Sequence, residues 1–107
     1  MADTRTILIK ARELIATKGW TQGRWALDAA GKPAMADEHA TCFCSWGAIV
    51  TAARGFGWDS EAEYTACCVF AEAIGAGDTG RLIKWNDAPG RTKEEVLAAF
   101  DRAIEAA

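Results

Sequence analysis

The sequence is poor in several features that would place it in a familiar class of proteins. Only two prolines occur in 107 residues, which leaves room for long helices. No apolar run approaches the roughly 18 residues of a membrane span. Charges at Lys10, Arg12 and Glu13 interrupt any hydrophobic export signal near the N-terminus. We therefore expect a cytoplasmic protein that does not contact a membrane.

Phosphate-binding and basic features are missing as well. The glycine-rich stretch 75–80 lacks the lysine and hydroxyl residue that end a phosphate-binding loop. The formal net charge is −3, whereas nucleic-acid binding normally needs a basic surface. From these absences we expect no nucleic-acid partner and no cofactor.

The charges that are present are unevenly distributed along the chain. The first 24 residues are predominantly basic, and no basic residue lies between Arg54 and Arg81. That interval contains five acidic residues, Asp59, Glu61, Glu63, Glu72 and Asp78. The two regions are either separate solvated faces, or they attract each other within the fold or between copies. A homodimer is therefore one expectation.

The apolar residues indicate a single small domain, residues 1–107, of mainly α class. Half of the residues are hydrophobic and a quarter are charged, as in globular proteins. Apolar residues at helical spacing predict a compact domain of four to five helices. The predicted segments cover residues 4–18, 41–54, 60–74, a short piece at 82–85, and a last helix that begins near Thr92. Two capping boxes, Ser60 with Glu63 and Thr92 with Glu95, mark two of the starts.

A short β-hairpin is expected near residues 23–35. Residues 28–33 have turn chemistry, with Gly31 suited to a positive φ and Pro33 unable to continue a helix. Residues 23–27 and 33–35 can pair on either side of this turn. A further glycine, Gly47, lies inside the second predicted helix, where it costs about 1 kcal/mol relative to alanine. We expect that another element approaches the helix closely at this glycine.

The four cysteines do not have the spacing of a metal site. Cys42 and Cys44 lie near His39, but the pattern is not the paired Cys-x-x-Cys type. The other two, Cys67 and Cys68, are adjacent, so on a helix they point about 100° apart. We expect no metal and no disulfide, and interpret most of the cysteines as small buried hydrophobic residues. A zinc-stabilised structural domain remains an alternative.

A thiol nucleophile is the most specific catalytic hypothesis. Cys42 or Cys44 would lie in the first turn of the second predicted helix, where the helix dipole lowers a thiol pKa. His39 is the only histidine and lies three to five residues upstream. Asp87 or Asn86 could orient its ring, as in other Cys–His arrangements. A thiol-dependent enzyme or redox protein is therefore the second hypothesis.

Tryptophan is unusually frequent, with five residues in this short chain. We expect Trp46 in the core. Trp25 and Trp58 lie beside turns, where exposed rings serve as anchors for a protein partner. The alternative is that these two rings cover the edge of the core.

The segment Trp85-Asn86-Asp87 is the most distinctive polar feature. One interpretation is structural, with the ring closing the core and the two polar side chains binding backbone groups in a turn. The other is a surface pocket formed together with Trp20 and Gln22.

Three separated blocks resemble a small family of bacterial and phage proteins described only as a domain of unknown function. They are Gly19-Trp20-Thr21-Gln22-Gly23, Cys44-Ser45-Trp46-Gly47-Ala48-Ile49, and Trp85-Asn86-Asp87 with Arg91-Thr92 and Glu94-Glu95-Val96. The resemblance implies a phage or bacterial origin and no particular activity. With the tryptophans, it leads us to expect a non-catalytic accessory protein that binds a protein partner, for example an inhibitor of a host defence system.

Overall fold

The computed structural model describes residues 3–34, 39–57 and 59–107, which form five helices and one small sheet. In chain order these elements are α1 (Thr4–Thr17), β1 (Ala26–Asp28), β2 (Ala40–Phe43), α2 (Ser45–Gly55), α3 (Ser60–Ala73), α4 (Gly80–Asn86) and α5 (Lys93–Ala106). The predicted class, mainly α with a short hairpin, is confirmed. None of the helices in these ranges is long and apolar enough to cross a membrane.

The core lies between α1, α2, α3 and α5. The apolar stripe predicted on α1 is buried along its whole length, through Ile7, Leu8, Ala11, Leu14 and Ile15. Helix α1 packs against both α2 and α5, and α3 packs against α5. Phe70 and Phe100 meet at the centre, with ring centroids 4.4 Å apart. Large aromatic side chains bury much apolar surface, so this contact contributes strongly to the stability of the core.

Local capping determines where the helices begin. The side chain of Asp3 accepts a hydrogen bond from the Thr6 amide and caps α1. The predicted capping box of Thr92 and Glu95 is present at the start of α5. The box predicted at the start of α3 is wrong, because Asp59 is the N-cap and its side chain accepts from the amides of Glu61 and Ala62. A carboxylate one residue upstream therefore takes the capping position that the sequence pattern assigned to Ser60.

The start predicted for the second helix is also wrong. Residues 41–43 belong to β2, and α2 begins only at Ser45, with Cys44 as its N-cap. Strand pairing overrides the helical spacing here, since β2 runs antiparallel to β1 and buries Phe43.

The hairpin differs from the expected one in its second strand. The main partner of β1 is β2, with Leu27 opposite Cys42. The expected pairing survives as a single bridge between Leu27 and Pro33. Its two hydrogen bonds run from the Asp28 amide to the Lys32 carbonyl, at 2.8 Å, and from the Ala34 amide to the Ala26 carbonyl, at 3.0 Å. Met35 lies outside the described residues. Residues 28–32 form the expected turn, in which Gly31 has a φ of +81°.

Gly47 is placed where the sequence predicted a close approach. A Cβ atom at this position would overlap the carbonyl oxygen of Trp25 and lie 2.8 Å from its carbonyl carbon. That same carbonyl accepts a hydrogen bond of 2.9 Å from the Cys44 amide. The start of α2 therefore packs directly against the backbone of the segment that precedes β1.

Candidate functional site

The segment before β1 presents an aromatic ring at the surface. Trp25 is 36% exposed, and its ring packs edge-on against that of Trp46, with centroids 4.0 Å apart. A shallow groove of about 230 Å³ adjoins it, lined by Gly23, Arg24, Trp25, Ala26 and Pro33. We call these five residues the Trp25 surface. Arg24 and Pro33 were not predicted as site residues, although Arg24 directly precedes the tryptophan in sequence.

The backbone beneath this ring is held in place. The Trp25 carbonyl is fixed by the Cys44 amide and by the contact with Gly47. Trp46, expected in the core, is half-buried and lies between Trp25 and the core. The ring of Trp25 is thus exposed on a backbone that is already ordered, which lowers the entropy lost on binding. Trp58, the second predicted anchor, lies outside the described residues.

Asn86 is the centre of a buried polar network. Its side-chain oxygen accepts from the Trp20 ring at 2.8 Å, and from the amide and hydroxyl of Ser45 at 2.9 and 2.7 Å. Its side-chain amide donates to the Thr21 carbonyl at 3.1 Å and to the Asp87 carboxylate at 3.0 Å. Every hydrogen-bonding position on this fully buried amide is occupied by protein.

The residues around Asn86 complete the connection to the loop that follows α1. The side-chain amide of Gln22 donates to the carbonyls of Asn86 and Ala88, both at 3.0 Å. The Asp87 carboxylate accepts from the Gly23 amide, also at 3.0 Å. Of the five residues named for a possible pocket, the structure brings Trp20, Gln22, Asn86 and Asp87 together through hydrogen bonds. Their polar groups bind one another, which favours the structural interpretation over a pocket.

Trp85 points away from this network. Its ring meets Phe70 at a centroid distance of 5.8 Å, and the guanidinium of Arg91 lies 4.1 Å from its centroid. Sequence reasoning missed Ser45, which supplies two of the three donors to Asn86. Nothing in the local sequence around Ser45 indicates a hydrogen bond to Asn86, which lies 41 residues away in the chain.

Two of the four thiols, those of Cys44 and Cys67, are in environments that disfavour the thiolate. Cys44 is buried, and its sulfur accepts a hydrogen bond from the Gly47 amide at 3.3 Å. Burial raises the pKa of Cys44 above its ordinary value, and the charge of Asp87 raises it further. Burial likewise raises the pKa of Cys67 to about 12, with smaller contributions from Glu63 and Cys68. A buried neutral thiol is a poor nucleophile.

The other members of the proposed catalytic group are not arranged as predicted. Cys42 lies in β2, and Cys44 precedes α2, so neither is in the first turn of the helix. His39 is exposed just before β2, whereas Cys44 is buried. Within residues 3–34, 39–57 and 59–107, no three His, Cys, Asp or Glu side chains are grouped closely enough to hold a metal ion.

Comparison with known families agrees with the resemblance noted in the sequence. The model of a family described as "Family of unknown function (DUF6197)" matches residues 1–106. The chain belongs to this family. A search of curated proteins and a search of solved structures each found no match.

In this DUF6197 chain, the Trp25 surface and the Asn86 network are adjacent parts of one loop. The network fixes residues 20–23, and the Trp25 surface begins at Gly23. The surface offers a large apolar ring, a proline and one cationic side chain, Arg24. Such a combination suits non-covalent recognition of another protein.

Proposed function

We propose that this protein is a non-catalytic binding domain that engages a protein partner through the Trp25 surface. The observation that carries the proposal is a tryptophan residue that is 36% exposed and whose backbone carbonyl is held by a hydrogen bond from Cys44. Tryptophan and arginine are the residues most enriched among binding hot spots, and here Arg24 and Trp25 are adjacent.

Rigidity is what distinguishes Trp25 from an ordinary exposed side chain. Its ring rests against Trp46, and its carbonyl is held by Cys44 and approached closely by Gly47. A ring ordered in advance loses little conformational entropy on association, so more of the contact energy contributes to affinity.

The raised pKa of Cys44 weighs against the alternative of catalysis by that thiol. Both buried cysteines, Cys44 and Cys67, favour the protonated form, which is a much weaker nucleophile than the thiolate.

A narrower version of the binding proposal is a phage or bacterial accessory protein that inhibits a host defence system. That version is supported by the family resemblance alone.

The test compares Trp25→Ala with a matched exposed substitution, Ile9→Ala on α1. Tagged variants are used to capture partners from a bacterial lysate, with identification by mass spectrometry and thermal unfolding measured in parallel. Once a partner is identified, we expect Trp25→Ala to weaken its binding about 30-fold, the effect of losing about 2 kcal/mol at an anchor. Ile9→Ala should bind like the unmodified protein.

Two results would contradict the proposal. Trp25→Ala that remains folded and captures the same partner with unchanged affinity would show that the ring is not an anchor. Trp25→Ala that fails to fold would assign the ring to the core. Trp58→Ala belongs in the same series, because the sequence predicted Trp58 as a second anchor.

A further inference from the structure

The Trp25 surface carries a positive charge that no other described side chain neutralises directly. Arg24 is exposed and lines the groove, and none of the ion pairs formed within the described part of the chain includes it. The guanidinium of Arg12, by contrast, lies 2.6 Å from the carboxylate of Asp101. Arg24 is therefore available to pair with a group that belongs to another molecule.

The groove beside Arg24 has no negative charge of its own among the described residues. Its other lining residues are uncharged, namely Gly23, Trp25, Ala26 and Pro33. Two aspartates contact the same loop and turn, but neither pairs with Arg24. The Asp87 carboxylate accepts from the Gly23 amide at 3.0 Å, and the Asp28 carboxylate accepts from the amides of Ala30 and Lys32. The groove thus combines an apolar floor with one unpaired cation.

The size of the groove indicates what kind of ligand it can hold. Its volume is about 230 Å³, whereas pockets for whole small molecules have about 300 to 1,000 Å³. A single side chain of a partner protein matches the smaller volume better. Because Trp25 and Pro33 are both apolar, the side chain that enters should be apolar too.

The chemistry of Arg24 indicates what stands next to that side chain. A guanidinium is planar and donates two parallel hydrogen bonds to a carboxylate, a pairing stronger than that of neutral groups. Nucleic-acid phosphates are a poorer match, because their binding normally uses several cations and this groove has one. The chain carries a net charge of −3, so an acidic partner is attracted at an unpaired cation and repelled over much of the remaining surface.

We propose that the Trp25 surface recognises an acidic segment of a partner protein, in which an aspartate or glutamate stands beside an apolar residue. This inference rests on the proposed function and names the chemistry of the partner. The carboxylate pairs with the guanidinium of Arg24, and the apolar side chain packs in the groove against Trp25 and Pro33. The ring supplies most of the affinity, whereas the charge pair sets the orientation of the segment.

A random peptide library displayed on yeast tests this preference without a known partner. Selection on the unmodified protein should enrich peptides with an acidic residue next to a proline or a large apolar residue. Selection on Arg24→Glu should enrich a basic residue at the same place, because the charge in the groove is reversed. Enriched peptides that lack an acidic residue would overturn the inference, and so would a selection that enriches no common sequence.

Calorimetric titration with the best selected peptide measures the contribution of the charge pair. Arg24→Ala should weaken binding about tenfold and reduce its dependence on salt, as for the loss of a hydrogen bond to a charged group. Lys32→Ala is the matched control, because Lys32 is an exposed cation next to Pro33 in sequence that does not line the groove. It should bind the peptide like the unmodified protein. Thermal unfolding verifies that each variant is folded.

The variants separate this inference from the proposed function. A peptide that needs Trp25 but binds Arg24→Ala and Arg24→Glu equally well would overturn the acidic partner and leave the binding surface standing. Binding that survives Trp25→Ala would overturn both. Equal losses in Lys32→Ala and Arg24→Ala would reduce the effect to net charge, and a single-stranded DNA oligonucleotide that binds through Arg24 would assign the cation to phosphate. Either result would overturn the inference.

Discussion

Replacing Asn86 by alanine should be one of the most damaging single changes in this domain. The substitution removes the acceptor for the Trp20 ring and for the amide and hydroxyl of Ser45. It also removes the donor to the Thr21 carbonyl and the Asp87 carboxylate. The site is fully buried, so water does not replace these bonds without a rearrangement.

The size of the effect follows from the groups that are left without partners. The Ser45 hydroxyl can rotate to another acceptor, and Thr21 is only half-buried. The Ser45 amide and the Trp20 ring nitrogen then carry most of the penalty, at about 1 to 3 kcal/mol for each unsatisfied group. We expect Asn86→Ala to lower the free energy of unfolding by about 3 to 5 kcal/mol. That is a large part of the about 5 to 15 kcal/mol typical of a domain.

Urea unfolding followed by circular dichroism measures this loss. Gln22→Ala is the control. It removes the two hydrogen bonds from the exposed Gln22 side chain to the carbonyls of Asn86 and Ala88, and it should lower the free energy of unfolding by less than about 1 kcal/mol. Asn86→Asp keeps the acceptor but places a carboxylate against Thr21 and Asp87. It should regain stability as the pH falls and the new carboxyl can donate again. A cost below about 1 kcal/mol for Asn86→Ala would refute the structural role of the network.

Two further predictions concern the start of α2 and the buried thiols. Gly47→Ala should destabilise the protein by about 1 to 3 kcal/mol, because the new methyl group overlaps the Trp25 carbonyl. Gly55→Ala in the same helix should instead stabilise it by up to about 1 kcal/mol, and equal effects in urea unfolding would contradict the close approach. In timed alkylation read by mass spectrometry, buried Cys44 and Cys67 should react after half-buried Cys42 and Cys68. Rapid alkylation of Cys44 at neutral pH would revive the thiol hypothesis. The pKa of Cys67 is raised from 9.0 to about 12 in the folded protein, so the stability that the buried thiol contributes is complete below pH 9 and is lost as the pH rises towards 12.

Local patterns in the sequence predicted most of the helical architecture. The spacing of apolar residues on α1 and the capping box at Thr92 both depend on neighbours within a few positions. Gly47 was informative for a related reason, since an unfavourable helix residue needs a compensating contact, and the structure supplies one. Such features can be recognised from a single chain because their physical causes are local.

The errors lie where distant residues compete with local preference. Residues 41–43 fit a helical pattern, yet pairing with β1 makes them a strand and shifts the start of α2 to Ser45. The link from Ser45 to Asn86 spans 41 positions and leaves no periodic signal. The N-cap of α3 was assigned to Ser60 instead of Asp59, because both residue types are good N-caps and the two residues are adjacent.

The polar network and the candidate binding surface are best understood as one structural unit. The loop between α1 and β1 has few apolar residues, so it depends on hydrogen bonds to Asn86 and Asp87 for its conformation. At the far end of the same loop, the start of α2 fixes the Trp25 carbonyl through Cys44. Ser45 joins the two ends, because it follows Cys44 directly and bonds to Asn86. The exposed ring of Trp25 is thus supported from both sides by residues that the family-like blocks contain, and Cys44, Ser45 and Asn86 among them are fully buried.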